Sequence, residues 1–217
     1  MWGPQAACPK NWDYENHQNS GAIVARRSTT AVRIVRGMNA AQKAALAQDI
    51  RPFHELLFTG LTPPHFPYFA GKYRGERFRC LQDYEVGVQG DRAVGHTAAT
   101  VPMEMESFAV EVGRLNKEMD FSFSANSKLF TPEMKVFRAV QLVAAAFVYF
   151  LEIHPFANGN GHSARMLIIC LLGRHNIYPN AKWKLHPRPD DPAYTQAIAA
   201  YRKGDKSKLH VLLLSCI

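Results

Sequence analysis

From Thr131 the chain reads TPEMKVFRAVQLVAAAFVYFLEI as far as Ile153. It continues His154-Pro155-Phe156-Ala157-Asn158-Gly159-Asn160-Gly161-His162-Ser163-Ala164-Arg165 and then MLIICLLG to Gly173. Thr131 followed by Pro132 and Glu133 is a helix start, with the cap at Thr131 and proline at the first helical position. The helix that follows, through Ile153, is apolar nearly all round, which predicts a buried central helix. A second buried helix is predicted from about Asn160 to Leu172, stopping at Gly173, with a tight two-glycine loop crossing between them. The fold class read from this pair is mainly α, with the two helices at its centre.

The loop itself carries chemistry. Free backbone N–H groups and the helix dipole at the second N-terminus favour an anion, and Gly159 and Gly161 let the backbone approach one closely. Arg165 can lean back toward that anion. His154 sits at the lip, where a general base could deprotonate an attacking hydroxyl. Each feature taken singly has a plain reading as well: a histidine at a helix C-terminus is often a dipole partner, and Gly-Asn-Gly can be a simple turn.

Outward from the pair, residues 1–21 read as loop, with Trp2, Trp12 and Tyr14 as aromatic anchors. Ile23–Val35 is basic and fits either strand or helix. Asn39 is the N-cap of a helix running through about Phe58, and Pro63, Pro64 and Pro67 make a stiff connector. Phe78–Val101 reads as extended, with Gln89-Gly90-Asp91 as the turn of a hairpin. A helix after Pro102 places Met103, Met105, Phe108, Val112 and Leu115 on one side, and Asp120–Leu129 is a polar loop. A last helix pair runs from Asp191 to Leu214, broken at Gly204.

The 217 residues carry a formal net charge of +8 and 47% hydrophobic residues, so wholesale disorder is excluded. The longest charge-free apolar run, Ala139–Leu151, has 13 residues, short of the roughly 20 a membrane span needs. No secretory signal is visible. Cysteines 8, 80, 170 and 216 show no metal-like spacing, and Cys170 reads as a small buried hydrophobe. Together these predict a reducing cytoplasm and no disulfide framework. The basic stretch Arg26–Arg36 lacks aromatic interleaving and reads as a solvated face, which disfavours nucleic acid as a partner.

As one string, His154–Arg165 resembles the Fic (filamentation induced by cAMP) domain signature H-P-F-x-D/E-G-N-G-R-x-x-R. Gly71-Lys72-Tyr73-Arg74-Gly75 looks like the turn after that family's leading helix, Val86–Met103 like its β-hairpin flap, and Tyr194–Leu214 like its closing helix pair. On this resemblance residues 36–217 are the Fic domain and residues 1–35 an N-terminal extension. The resemblance implies a bacterial AMP transferase using ATP and Mg or Mn to modify a Ser, Thr or Tyr hydroxyl of a protein (AMPylation). His154 would be the base. Asn158, Gly159, Asn160, Gly161, His162, Arg165 and Tyr194 would meet the nucleotide, with Asn158 also at the metal. Val94, Gly95, His96 and Thr97 of the flap would hold the protein substrate by β-augmentation.

Two positions depart from the signature. Asn158 replaces a carboxylate, weakening the hold on a hard cation. His162 replaces an arginine, which predicts nucleotide affinity rising as pH falls through roughly 6.5. The family's inhibitory Ser/Thr-x-x-x-Glu-Gly/Asn motif has no good match. Asn11–Asn16 has its Glu15-Asn16 but lacks the hydroxyl, and Glu15 reads as a surface residue, so inhibition would come from a separate small antitoxin-like partner or be absent. Other readings are a different nucleotide-linked donor, a phosphotransferase on the same fold, a degenerate nucleotide- or partner-binding module, and delivery into a host cell.

Overall fold

The computed structural model describes residues 6–88, 94–124, 129–189 and 192–217. Its helices are α1 (Ser20–Gly37), α2 (Ala40–Gln48), α3 (Arg51–Phe58), α4 (Val101–Phe123), α5 (Pro132–Ile153), α6 (Asn160–Gly173), α7 (Ala193–Arg202) and α8 (Ser207–Leu214), with short 3-10 turns at Tyr14–Asn16 and Pro67–Phe69. The predicted pair is the centre of the molecule. α5 starts where Thr131 Oγ1 accepts the Met134 N–H, and it packs against α4, α6, α7 and α8. Although α5 is long and apolar enough to cross a membrane, most of its apolar stretch is buried in this core. α6 is buried along nearly its whole length.

Several expectations are corrected. The ambiguous Ile23–Val35 lies inside helix α1, which buries Val24, Ala31 and Val35 at one face. The predicted Asn39–Phe58 helix is two helices. Asn39 and Gln42 form a reciprocal capping box for α2, but at Asp49 the backbone becomes extended and its carboxylate binds Arg51, at the start of α3. α4 runs through Phe123, well into the predicted polar loop. Met103 on α4 points outward and is 61% exposed, whereas Met105, Phe108, Val112 and Leu115 are buried as expected.

The extended reading of Phe78–Val101 and its hairpin flap finds no support: no strand occurs among the described residues. Phe78–Asp83 is a run of turns, in which Phe78 stacks on Tyr68 and Leu81 and Tyr84 drop singly into the core. The β-favouring side chains are thus spent on separate anchors rather than on one pleated face. The proposed turn at Gln89-Gly90-Asp91 lies outside the described residues, as do Trp2 and Asp191. The expectation of no disulfide is also corrected. Cys8 and Cys80 are bonded, at a Cα–Cα distance of 5.4 Å across 72 residues of sequence, while Cys170 and Cys216 are free and buried.

Candidate active site

The loop from α5 to α6 is held by two buried residues upstream in the chain. Arg74, fully buried, donates to the carbonyls of His154, Ile153, Tyr84 and His96, while its own N–H donates to Pro155 O at 2.8 Å. One guanidinium therefore ties together the end of α5, the loop after it and the base of the segment entering α4. His54 of α3 is also fully buried. Its Nδ1 accepts the Gly71 N–H, so its Nε2–H donates to Asn158 O at 2.9 Å. The His54 ring stacks on Phe156 at 3.7 Å between centroids. Burial pulls its pKa down to about 3, so it stays the neutral, one-donor form this bonding needs.

Within the loop, Asn160 clamps Phe156: its Oδ1 accepts the Phe156 N–H and its Nδ2 donates to Phe156 O, each at 2.8 Å. Gly159 has a φ of 78°, and a Cβ there would lie 2.3 Å from Phe58 Cε2. Both conformation and space exclude a side chain.

His154 caps α5 in the left-handed region, with φ 53°. Its Nδ1 lies 3.0 Å from Leu151 O, and because a carbonyl only accepts, Nδ1 carries the proton and Nε2 has the free lone pair. Burial lowers the pKa of His154 to about 4, and the Arg74 and Arg202 charges act in the same direction against the Leu151 bond. His154 and Asn158 line one cleft of about 250 Å³, together with Trp12, Asp13, Tyr84 and Glu85.

At the start of α6, the Asn160 and Gly161 N–H groups have no protein partner among the described residues, which leaves two donors at the positive end of the helix dipole. Arg165 leans back as predicted: its Nη1 lies 3.2 Å from where a Gly161 Cβ would be. Its guanidinium is buried, donating to Leu185 O from Nε and Nη2, and it pairs with no carboxylate among the described residues. His154, the free N–H groups at the start of α6 and a buried arginine with no carboxylate partner among the described residues thus lie along one loop and the helix that follows it. The Fic/DOC family model matches residues 45–172, more than half of the chain. The chain belongs to the Fic/DOC family. No curated protein sequence matches it.

Other residues of this Fic/DOC site sit differently from the sequence reading. His162 is only 8% exposed, enclosed by Tyr14, Phe58 and His186, with Nε2 3.2 Å from His186 Nδ1. Burial first, then the charge of Arg165, pulls its pKa down to about 2. It stays neutral throughout the physiological range, and the expected protonation near pH 6.5 is removed. Tyr194 is a core residue against Phe147 and Trp183, with its hydroxyl 3.5 Å from Arg165 Nη1. Of the flap residues, Val94 is buried and Gly95 and His96 spend their N–H groups on Glu152 O and Ile153 O. Thr97 opens the turn into α4. Val94–Thr97 is therefore a fixed base rather than a free edge for an added strand.

The N-terminal segment lies over the motif. Trp12 is buried against His54, Phe58 and Phe69, its indole N–H donating to Leu61 O. Asn158 Nδ2 donates to Trp12 O at 2.7 Å and approaches Glu15 Oε2 at 3.5 Å. Glu15 is thus beside the motif, and it makes no ion pair with Arg165. Asn158 Oδ1 is taken by the Gly159 N–H at 2.6 Å. No group of three or more His, Cys, Asp or Glu residues forms a metal cluster among the described residues. With its one amide oxygen already engaged, Asn158 fits a metal-ligand role poorly.

Arg74 was visible in the sequence only as part of the Gly71–Gly75 resemblance, and His54 gave no signal. A histidine three residues into an amphipathic helix looks like any other until its two ring nitrogens are seen to bridge distant backbone groups.

Proposed function

We propose that this chain transfers the AMP moiety of ATP to a hydroxyl of a protein. The observation that carries the reading is His154, neutral and fixed in one tautomer, with its Nε2 lone pair available in the cleft that Asn158 also lines. In the reaction, Nε2 takes the hydroxyl proton as the oxygen attacks the α-phosphorus. The bond from that phosphorus to the β-phosphate's bridging oxygen breaks and pyrophosphate leaves. The Asn160 and Gly161 N–H groups and Arg165 stabilise the negative charge on the phosphates. Because Asn158 is a poor ligand, a magnesium or manganese ion would be carried chiefly by the nucleotide's own phosphates, and no step here runs through it.

The cleft of about 250 Å³ is smaller than the roughly 300–1,000 Å³ of ordinary ligand sites, so the segment around Trp12 and Asp13 must move aside for a triphosphate. The Cys8–Cys80 bond fits an oxidising compartment better than the cytoplasm.

The test supplies ATP labelled at the α- or the γ-phosphate to the protein and candidate substrates, beside His154→Ala. Label from the α-position alone, lost in the variant by a factor of at least about 100, supports the reading. Label from the γ-position reassigns the chain to phosphotransfer. Nucleotide binding with no transfer from either reassigns it to a binding module, the role that Asn158 and the neutral His162 would then explain.

A further inference from the structure

A second cleft, of about 430 Å³, shares no residue with the one beside His154. Its walls are α1 and the segment 178–186, with Ile169 of α6 and Trp183 between them. This volume is in the range of sites that hold small molecules. The charge around it is one-sided. α1 carries Arg26, Arg27, Arg33 and Arg36, and residues 174–189 carry Arg174, Lys182, Lys184 and Arg188; neither stretch contains an Asp or Glu. These eight cations equal the whole net charge of +8, so the rest of the chain, Asp190 and Asp191 included, is balanced.

Some of this charge is already engaged: Arg174 pairs with Asp120 and Arg27 donates to Leu57 O and Thr59 O. The two cations that line the cleft, Arg36 and Lys184, meet no carboxylate among the described residues. Arg36 lies 5.1 Å over the Tyr178 ring. Behind that ring, Lys43 is 4% exposed and donates to the Tyr178 hydroxyl at 2.7 Å. The α1 wall also holds Ser28, whose buried Oγ has no hydrogen-bond partner among the described residues.

We propose that this cleft binds a small organic anion, with a phosphate or carboxylate head between Arg36 and Lys184 and an apolar body against Trp183. Each wall contributes one cation to the cleft, Arg36 from α1 and Lys184 from the segment 178–186, and a charge-assisted hydrogen bond to an anionic head group supplies most of the affinity. The site does not depend on the AMP-transfer reading.

Phenyl phosphate, benzoate and neutral benzyl alcohol are titrated into the full chain while the Trp183 indole N–H is followed by NMR. Both anions, or the one whose head group the site selects, are expected to shift it saturably, and benzyl alcohol is not. The double variant Arg36→Gln/Lys184→Gln should weaken binding about tenfold. Arg26→Gln/Arg33→Gln, which removes equal charge outside the cleft, should leave it unchanged, with both variants checked for an unaltered melting curve. Equal loss in the two variants, equal binding of benzyl alcohol, or no saturable shift overturns the proposal. So does a single-stranded oligonucleotide that binds more tightly and depends on Arg26 and Arg33, because the surface would then be an extended polyanion track.

Discussion

His154 must be neutral to accept a proton, and burial decides when it is. A pKa lowered to about 4 keeps the neutral form through the whole neutral range, and it is lost only as pH falls through that value. The acid limb of the transfer rate should therefore be flat from about pH 7.5 to 5.5, where an exposed histidine of pKa near 6.5 would already have lost most of its activity. His162, lowered to about 2, should give no rise in nucleotide affinity over the same interval. Equal binding slopes for the native protein and His162→Ala check this; a steeper slope in the native protein would mean that His162 titrates after all. Arg74 is the other single residue on which much rests. Arg74→Met leaves buried carbonyls at His154, Ile153, Tyr84 and His96 without a donor, and should cost on the order of 3–5 kcal/mol by denaturant unfolding.

At the scale of elements, the two central helices are joined by a loop whose shape leaves no room at Gly159. Gly159→Ala combines a left-handed backbone with a Cβ 2.3 Å from Phe58 and 3.0 Å from His54 Nε2. It should destabilise the protein by about 2 kcal/mol or more and disturb the His54 bond to Asn158 O. The expected signature is a lower melting temperature together with faster amide exchange across 156–162; a native-like exchange pattern would show that the loop tolerates the methyl. The capping signals at Asn39 and Thr131 were legible because a cap is local chemistry within three residues. The break at Asp49 had a local signal too, Pro52, which sits in the first turn of α3 and cannot continue a helix from upstream, with the Asp49–Arg51 interaction fixing the bend.

At the scale of the molecule, the disulfide pins the chain ahead of Trp12 to the turn after Phe78, and that chain covers the motif. Cys8→Ser should lower stability by about 2–4 kcal/mol and free the segment from the start of the chain. Trp12 gaining solvent exposure, read as a red shift in fluorescence against Trp12→Phe, together with a faster transfer rate, is the expected result. Unchanged fluorescence and rate would mean that Trp12 and Tyr14 hold the segment by packing alone.

The helix pair, its caps, the glycine loop and the positions of His154 and Arg165 were all determined by the sequence, because periodicity, turn chemistry and a short motif act over a few residues. The identity of the family followed from the same string. Only the tertiary structure decided that Phe78–Asp83 folds as turns, that Cys8 reaches Cys80, that His162 is buried, and that Tyr194 packs in the core. Each of these depends on which distant groups share a buried volume, and burial sets both a side chain's pKa and whether its propensity is obeyed.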